Sequence, residues 1–237
     1  MMTDVLCYGV PEGCSFGSIV AMEWLGRPFR LCRIEMPEVV SGEAYRRVNP
    51  IGETPTLITS DGAVLSESMA ILGYLGARFH EAGKGPAPGS AAFDRRTQML
   101  AYLNTSFFNA FSPLWFAMEH DMDGPEKDAL TRYGRQLVEK THAGLETLLG
   151  EGPYLMGAEP EIVDAYFMGI ARWADFHQAA DRRDYPGIDG LYNRLKQDPA
   201  VQFAWAIEHE EPATSAGGFK GHVTLDHVAG LLGRQAA

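Results

Sequence analysis

Cysteine is scarce in this chain: three among 237 residues, at positions 7, 14 and 32. So small and odd a set cannot build a disulfide framework. Long apolar runs are missing too, and none approaches the ~20 residues of a membrane-spanning helix. Basic residues are outnumbered, 20 Lys and Arg against 31 Asp and Glu, for a net charge of −11. Such a surface repels phosphate backbones and anionic lipid, so neither nucleic acid nor a membrane is an expected partner. The seven histidines are scattered; no metal-ligand spacing and no internal repeat stands out, and no metal is expected. Nothing at the start reads as a secretory signal, so the expected compartment is the reducing cytoplasm. What is present in quantity is apolar: 46% of residues, enough for a sizeable core in one large domain or two modest ones.

Taken in order, Val5 to Tyr8 reads as a short strand ending in the loop Gly9-Val10-Pro11-Glu12-Gly13. A helix begins at Cys14 or Ser15, carries Phe16, Ile19, Val20, Met22 and Leu25 at helical spacing, and stops at Gly26. Phe29 to Glu35 alternates as a half-buried strand, and Ser41 to Val48 is a short helix candidate. Asp61-Gly62 between Thr56–Thr59 and Ala63–Leu65 marks a hairpin, because its turn needs φ > 0. Ser66 is placed to cap a third helix bearing Met69, Ile71, Leu72 and Leu75. From His80 to Gly89 the chain is dense in Gly and Pro, a linker. Beyond it strand signals vanish. A long helix is expected from Phe93 to about His120 with a kink at Pro113, another from Pro125, an apolar one from Glu161, and two more over 188–197 and 199–209. The stretch from Glu210 is flexible by composition, with one short amphipathic helix expected over 224–235.

The run Asn49-Pro50-Ile51-Gly52-Glu53-Thr54-Pro55-Thr56-Leu57, a hairpin, then Glu67-Ser68-Met69-Ala70-Ile71 resembles the amino-terminal domain of the glutathione transferases. The family pattern there is Asn-Pro-x-Gly-x-(Val/Thr)-Pro-x-Leu followed by (Glu/Gln)-Ser-x-Ala-Ile. Further on, Tyr154-Leu155-Met156-Gly157 and Glu161-Ile162-Val163-Asp164 resemble the family's Tyr-Leu-x-Gly and Ser/Thr-x-x-Asp capping box, with Glu161 in place of Ser/Thr so that half the box is expected to survive. The resemblance spans about 5 to 209. It implies an α/β thioredoxin-like domain with a four-stranded mixed sheet over 1–82 and an all-helical domain over 91–209; composition adds the linker over 83–90 and a flexible tail over 210–237, which departs from the family. It implies a homodimer as well.

By the same resemblance Pro55 is cis, the Thr54 backbone pairs with the cysteinyl part of glutathione, and Glu67 and Ser68 hold its γ-glutamyl end. An α-carboxylate suits the free N–H groups of a helix start, and Glu67 complements the ammonium. The chemistry implied is attack of the glutathione thiolate on a small hydrophobic electrophile. The helix start that would lower the thiol pKa carries Tyr8, Glu12, Cys14 and Ser15. The run Tyr8…Gly13-Cys14-Ser15 is most similar to the bacterial beta class. This places Cys14 beside the sulfur, as thiolate donor or mixed-disulfide partner, with Ser15 and Tyr8 as further donors. Three features depart from that class: Glu12 precedes the cysteine, Phe108 and Asn109 replace a histidine and a lysine, and Glu35-Met36-Pro37-Glu38 is acidic. Arg33, Arg46 and Arg47 are the candidates for the glycyl carboxylate. The electrophile is expected against Phe107, Phe108, Phe111, Trp115 and Phe116. Cys7 and Cys32 read as strand core. A glutathione-dependent isomerase, reductase or dehalogenase, and a binding module without the chemistry, are the alternative readings.

Overall fold

The structure is a computed structural model, which describes residues 3–215 and 217–233. Their contacts separate two compact units, one within Met1–Gly85 and Asp198–Ala237, the other within Pro86–Gln197.

In the first unit the chain runs β1 (Asp4–Val10), α1 (Phe16–Leu25), β2 (Phe29–Glu35), α2 (Glu43–Arg46), β3 (Thr56–Ile58), β4 (Val64–Ser66) and α3 (Ser68–Glu81). The second unit holds α4 (Ala91–Tyr102), α5 (Ser112–Glu119), α6 (Gly124–Leu148), α7 (Ile162–Ala171), α8 (Trp173–Phe176) and α9 (Pro186–Lys196). The chain then returns to the first unit with α10 (Pro199–Glu208), β5 (Phe219–His222) and α11 (Leu225–Gly233).

The sheet order is β4-β3-β1-β2-β5, with β1 and β5 parallel to β2 and with β3 antiparallel to β1 and β4. Five strands stand where four were expected. The fifth comes from the segment whose composition predicted flexibility. Phe29 N–H donates to the Gly218 carbonyl (3.1 Å) and Val223 N–H to that of Leu31 (2.8 Å), so the tail covers the edge that β2 would otherwise expose. Period-2 alternation puts Val5 and Cys7 on one face of β1. There they join Cys32, Ile34, Tyr45 of α2 and Val228 of α11 in a single buried cluster. Cys7 and Cys32 lie opposite each other across β1 and β2, both buried. The Cys32 sulfur, with burial, pushes the Cys7 thiol up.

The hairpin forms where Asp61-Gly62 predicts it, with Gly62 at φ +93°. The helix after it starts later than expected. Ser66 pairs with Thr56 in the ladder and so cannot cap; the chain turns at Glu67, at φ +70°, and α3 begins at Ser68.

In the second unit the long helix expected to kink at Pro113 is instead broken. Residues 103–111 pass through π and 3-10 turns, and Pro113 sits in the first turn of α5, where its missing N–H costs nothing. The capping box is complete rather than half-surviving. The Glu161 carboxylate accepts from the backbone of Asp164, whose own carboxylate accepts from Glu161 N–H (2.9 Å) and Leu155 N–H (2.8 Å). The charge on Glu161 is tolerated because Arg96, also buried, pairs with it at 2.9 Å.

His142 lies fully buried in this unit, its ring 4.7 Å from that of Phe107 and its Nδ1 2.8 Å from the Val138 carbonyl oxygen. Burial lowers its pKa to about 4. The unfolded chain protonates near pH ~6.5, so between there and about 4 it binds more protons than the fold does. Stability carried by neutral His142 is therefore lost as pH falls through that window, by about 3 kcal/mol in full. Asp164, pushed up to about 7 by burial, acts in the opposite direction. The His142 share is thus read as a difference: urea unfolding from pH 7 to 4 should weaken the native protein more than a His142→Gln variant. Parallel losses would contradict the assignment.

Candidate functional site

Three segments of the first unit meet around the end of β1. The first is the loop into α1. Val10–Pro11 is cis and Glu12 adopts φ +52°. Gly13 then passes so close beneath Gly9 that a Cβ there would lie 2.0 Å from the Gly9 carbonyl oxygen. Gly9 N–H donates to Ser15 Oγ (3.1 Å), Phe16 N–H to the Gly13 carbonyl (3.2 Å), and Gly13 N–H to Glu208 Oε1 of α10 (3.1 Å). The Cys14 thiol, partly exposed, donates to the Thr54 carbonyl at 3.4 Å.

That carbonyl belongs to the second segment, residues 49–56. Asn49 Nδ2 donates to the Glu53 carbonyl (2.7 Å) and to Thr56 Oγ1 (3.1 Å), while its Oδ1 accepts from Ile51 N–H (3.1 Å). The Tyr45 hydroxyl donates to the same Glu53 carbonyl (2.9 Å) and lies 2.8 Å from Thr56 Oγ1. Asn49, Tyr45 and Thr56 are buried, so these bonds act where unpaired polar atoms are expensive. They fix the stretch containing the Thr54–Pro55 bond, which is cis. Thr54 Oγ1 reaches Met36 Sδ at 3.5 Å, and a Cβ on Gly9 would fall 2.3 Å from it. The absence of a side chain on Gly9 lets the two segments approach.

The third segment is the turn from β4 into α3. Ser68 opens the helix and is 5% exposed, while Glu67 is exposed. The Glu67 side chain does not cap the first turn of α3, so N–H groups there keep their capacity for an anion. Among the described residues no hydrogen bond engages the Glu67 carboxylate or the Ser68 hydroxyl.

The structure thus places Cys14 against Thr54 and leaves Ser15 and Tyr8 apart from that contact. Ser15, 1% exposed, turns its oxygen inward to Gly9. Tyr8, also 1% exposed, has its hydroxyl 3.1 Å from His222 Nε2 on β5, and burial raises its pKa above the ordinary phenol value. Burial and Arg33 in turn lower that of His222, so both partners are neutral at physiological pH. Of the arginines, Arg33 is bound to Glu35 (2.6 Å) and to the Glu208 carbonyl (2.9 Å), Arg47 to Glu43 (2.7 Å), and Arg46 donates to the Ser41 carbonyl (3.3 Å). In the second unit Phe107 and Phe111 are core; Phe108 packs on Trp173 (5.2 Å), Trp115 stacks on Phe176 (5.4 Å), and Phe116 is exposed against His120. No group of three or more His, Cys, Asp or Glu among the described residues is placed to hold a metal, and no described helix is long and apolar enough to cross a membrane.

Glu208 and His222 gave no signal in the sequence, because each meets its partner across some two hundred residues of chain. Asn49 could have been found: it opens the motif and its side chain bonds locally, to the Glu53 carbonyl four residues on.

The family model described as "Glutathione S-transferase, N-terminal domain" matches residues 14–78. A curated relative, glutathione S-transferase GstA of Escherichia coli O157:H7, is 26% identical over 200 residues, which cover 84% of this chain and 96% of that protein. A glutathione transferase from Methylococcus capsulatus str. Bath has a similar solved structure, with TM-score 0.76 and 28% identity, covering 88% of this chain and 100% of its own. A sphingomonad glutathione S-transferase, solved in complex with glutathione, gives 0.75 and 26%, covering 86% and 98%.

Proposed function

We propose, from its likeness to the glutathione transferases, that the chain is a cytosolic glutathione transferase that conjugates the thiolate of reduced glutathione to small hydrophobic electrophiles. The observation that carries this reading is the contact of the Cys14 sulfur with the Thr54 carbonyl at a cis Thr54–Pro55 bond, beside an uncapped α3. Glutathione is a γ-linked peptide, and its parts call for those partners. The Thr54 backbone serves its cysteinyl amide. The α3 N–H groups and the Ser68 hydroxyl take its γ-glutamyl carboxylate, and Glu67 its ammonium. This leaves the sulfur beside Cys14 and the loop into α1. Cys14 serves as a donor to that thiolate; Ser15 and Tyr8 act through the backbone and β5, not on the sulfur. Cytoplasmic location and a homodimer belong to the same proposal, and the mass in solution tests the latter.

Initial rates with glutathione and an aromatic halide test the reaction. Ser68→Ala should raise the KM for glutathione about tenfold, the equivalent of one hydrogen bond to a charged group, and change kcat far less. A rate equal to the uncatalysed one would leave a glutathione-binding module, and an unchanged KM would remove Ser68 from the site.

A further inference from the structure

α10 ends in a carboxylate that has no place in the chemistry so far. Glu208 is 8% exposed, and its Oε1 accepts the Gly13 N–H at 3.1 Å, one residue before Cys14. α10 is packed along α1, and its last turn is held on the sheet by Arg33, whose Nη1 donates to the Glu208 carbonyl at 2.9 Å. A second anchor joins the two ends of that pair of helices: Trp24 Nε1 donates to Asp198 Oδ1 at 2.9 Å. The carboxylate is therefore delivered to the Cys14 loop by a rigid element, not by a mobile tail.

Its effect on the loop is twofold. As an acceptor it fixes Gly13, and with it the direction of the Cys14 side chain. As a charge it opposes the positive end of α1, where a thiolate would otherwise be favoured. The Cys14 thiol meanwhile donates its proton to a carbonyl oxygen, the Thr54 contact at 3.4 Å. A thiolate has no proton for that bond and would be repelled by the oxygen. Both features favour S–H over S⁻.

We propose that Glu208 is a positioning residue that fixes the Cys14 loop and holds Cys14 in its thiol form, so that Cys14 acts as a hydrogen-bond donor and not as a nucleophile. This rests on the reading of the Cys14 loop as the sulfur site, and it selects between the two roles open to that cysteine. The other ionisable groups on the elements around the loop include Glu12 in the loop itself, Arg33 and Glu35 on β2, Glu53 in the 49–56 segment, Glu67 at the start of α3, Glu210 after α10 and the neutral His222 on β5. Glu23, held by Ser215 and Gly217, and the Arg27–Glu81 pair lie at the far end of α1.

The test is the pH dependence of Cys14 alkylation by iodoacetamide, followed by mass in the full-length protein, with Cys14→Ala as the blank for Cys7 and Cys32. Glu208→Gln keeps an acceptor for Gly13 N–H and removes the charge. The alkylation midpoint should fall by about one pH unit, the size expected on losing a nearby like charge, with thermal stability retained. Glu208→Ala removes both, and should in addition speed hydrogen exchange at Gly13; if it fails to fold, the Gln variant still decides. A midpoint unmoved or raised in Glu208→Gln overturns the proposal. Alkylation needs no glutathione, so a wild-type protein that binds none would defeat the proposed function while leaving this result readable.

Discussion

Gly13→Ala is expected to cost about 3 kcal/mol of stability and to weaken glutathione binding by more than tenfold. The added Cβ would fall 2.0 Å from the Gly9 carbonyl oxygen, 2.8 Å from its carbon and 3.0 Å from Ser15 Oγ. Two of the three are backbone atoms, so no rotamer change relieves the clash; the loop has to lift from β1. Lifting it strains three bonds at once: Gly9 N–H to Ser15, Gly13 N–H to Glu208 and Cys14 to Thr54. Each is worth about 1 kcal/mol, and the last two form one wall of the site. Urea unfolding measures the first effect and titration with glutathione the second. Native stability together with native affinity would show that the loop does not set the site.

Asn49→Ala should act on the opposite wall. It deletes a buried side chain that makes three bonds, two to the Glu53 carbonyl and Thr56 Oγ1 and one from Ile51 N–H. The expected cost is about 2–3 kcal/mol, because Ile51 N–H and Thr56 are left short of partners. Tyr45 still reaches both Glu53 and Thr56, so the loop loosens without collapsing. The dissociation constant for glutathione should rise about tenfold, while alkylation of Cys14 at saturating pH stays native. Tyr45→Phe should do less, since Asn49 then keeps both acceptors. If Asn49→Ala lost stability but bound glutathione as the native protein does, the Thr54 backbone would have no part in binding.

How far the sequence reaches depends on the range of the interaction. Asp61-Gly62 specifies its turn within four residues, and the structure has the hairpin there. The Asn49–Leu57 motif is equally local, since Asn49 reaches only to Glu53 and Thr56. Ser66 misled because a good capping residue is also acceptable in a strand. Pairing with Thr56 decided the matter, and a left-handed Glu67 made the turn. Glu161 hid a complete capping box because its carboxylate can take the Ser/Thr role only while Arg96, sixty-five residues away, neutralises it. The tail was least legible. Pro-Ala-Thr-Ser-Ala-Gly-Gly (212–218) is a flexible composition in isolation. The free edge of β2 and the apolar cluster around Cys32 and Tyr45 nevertheless give β5 and α11 somewhere to pack. The site divides likewise. Cys14, Thr54, Pro55, Glu67 and Ser68 stand within two local patterns. The inward turn of Ser15 and the pairing of Tyr8 with His222 depend on the close passage of Gly13 and on β5, which no local pattern announces.

If the Thr54–Pro55 segment, the start of α3 and the Cys14 loop together form a glutathione site, the purified protein must bind the tripeptide unaided. Calorimetric titration with reduced glutathione, alongside the Ser68→Ala variant, is the decisive experiment. The native protein should bind in the micromolar to low-millimolar range, and the variant about tenfold more weakly. No detectable binding by a folded native protein would contradict the assignment of the site.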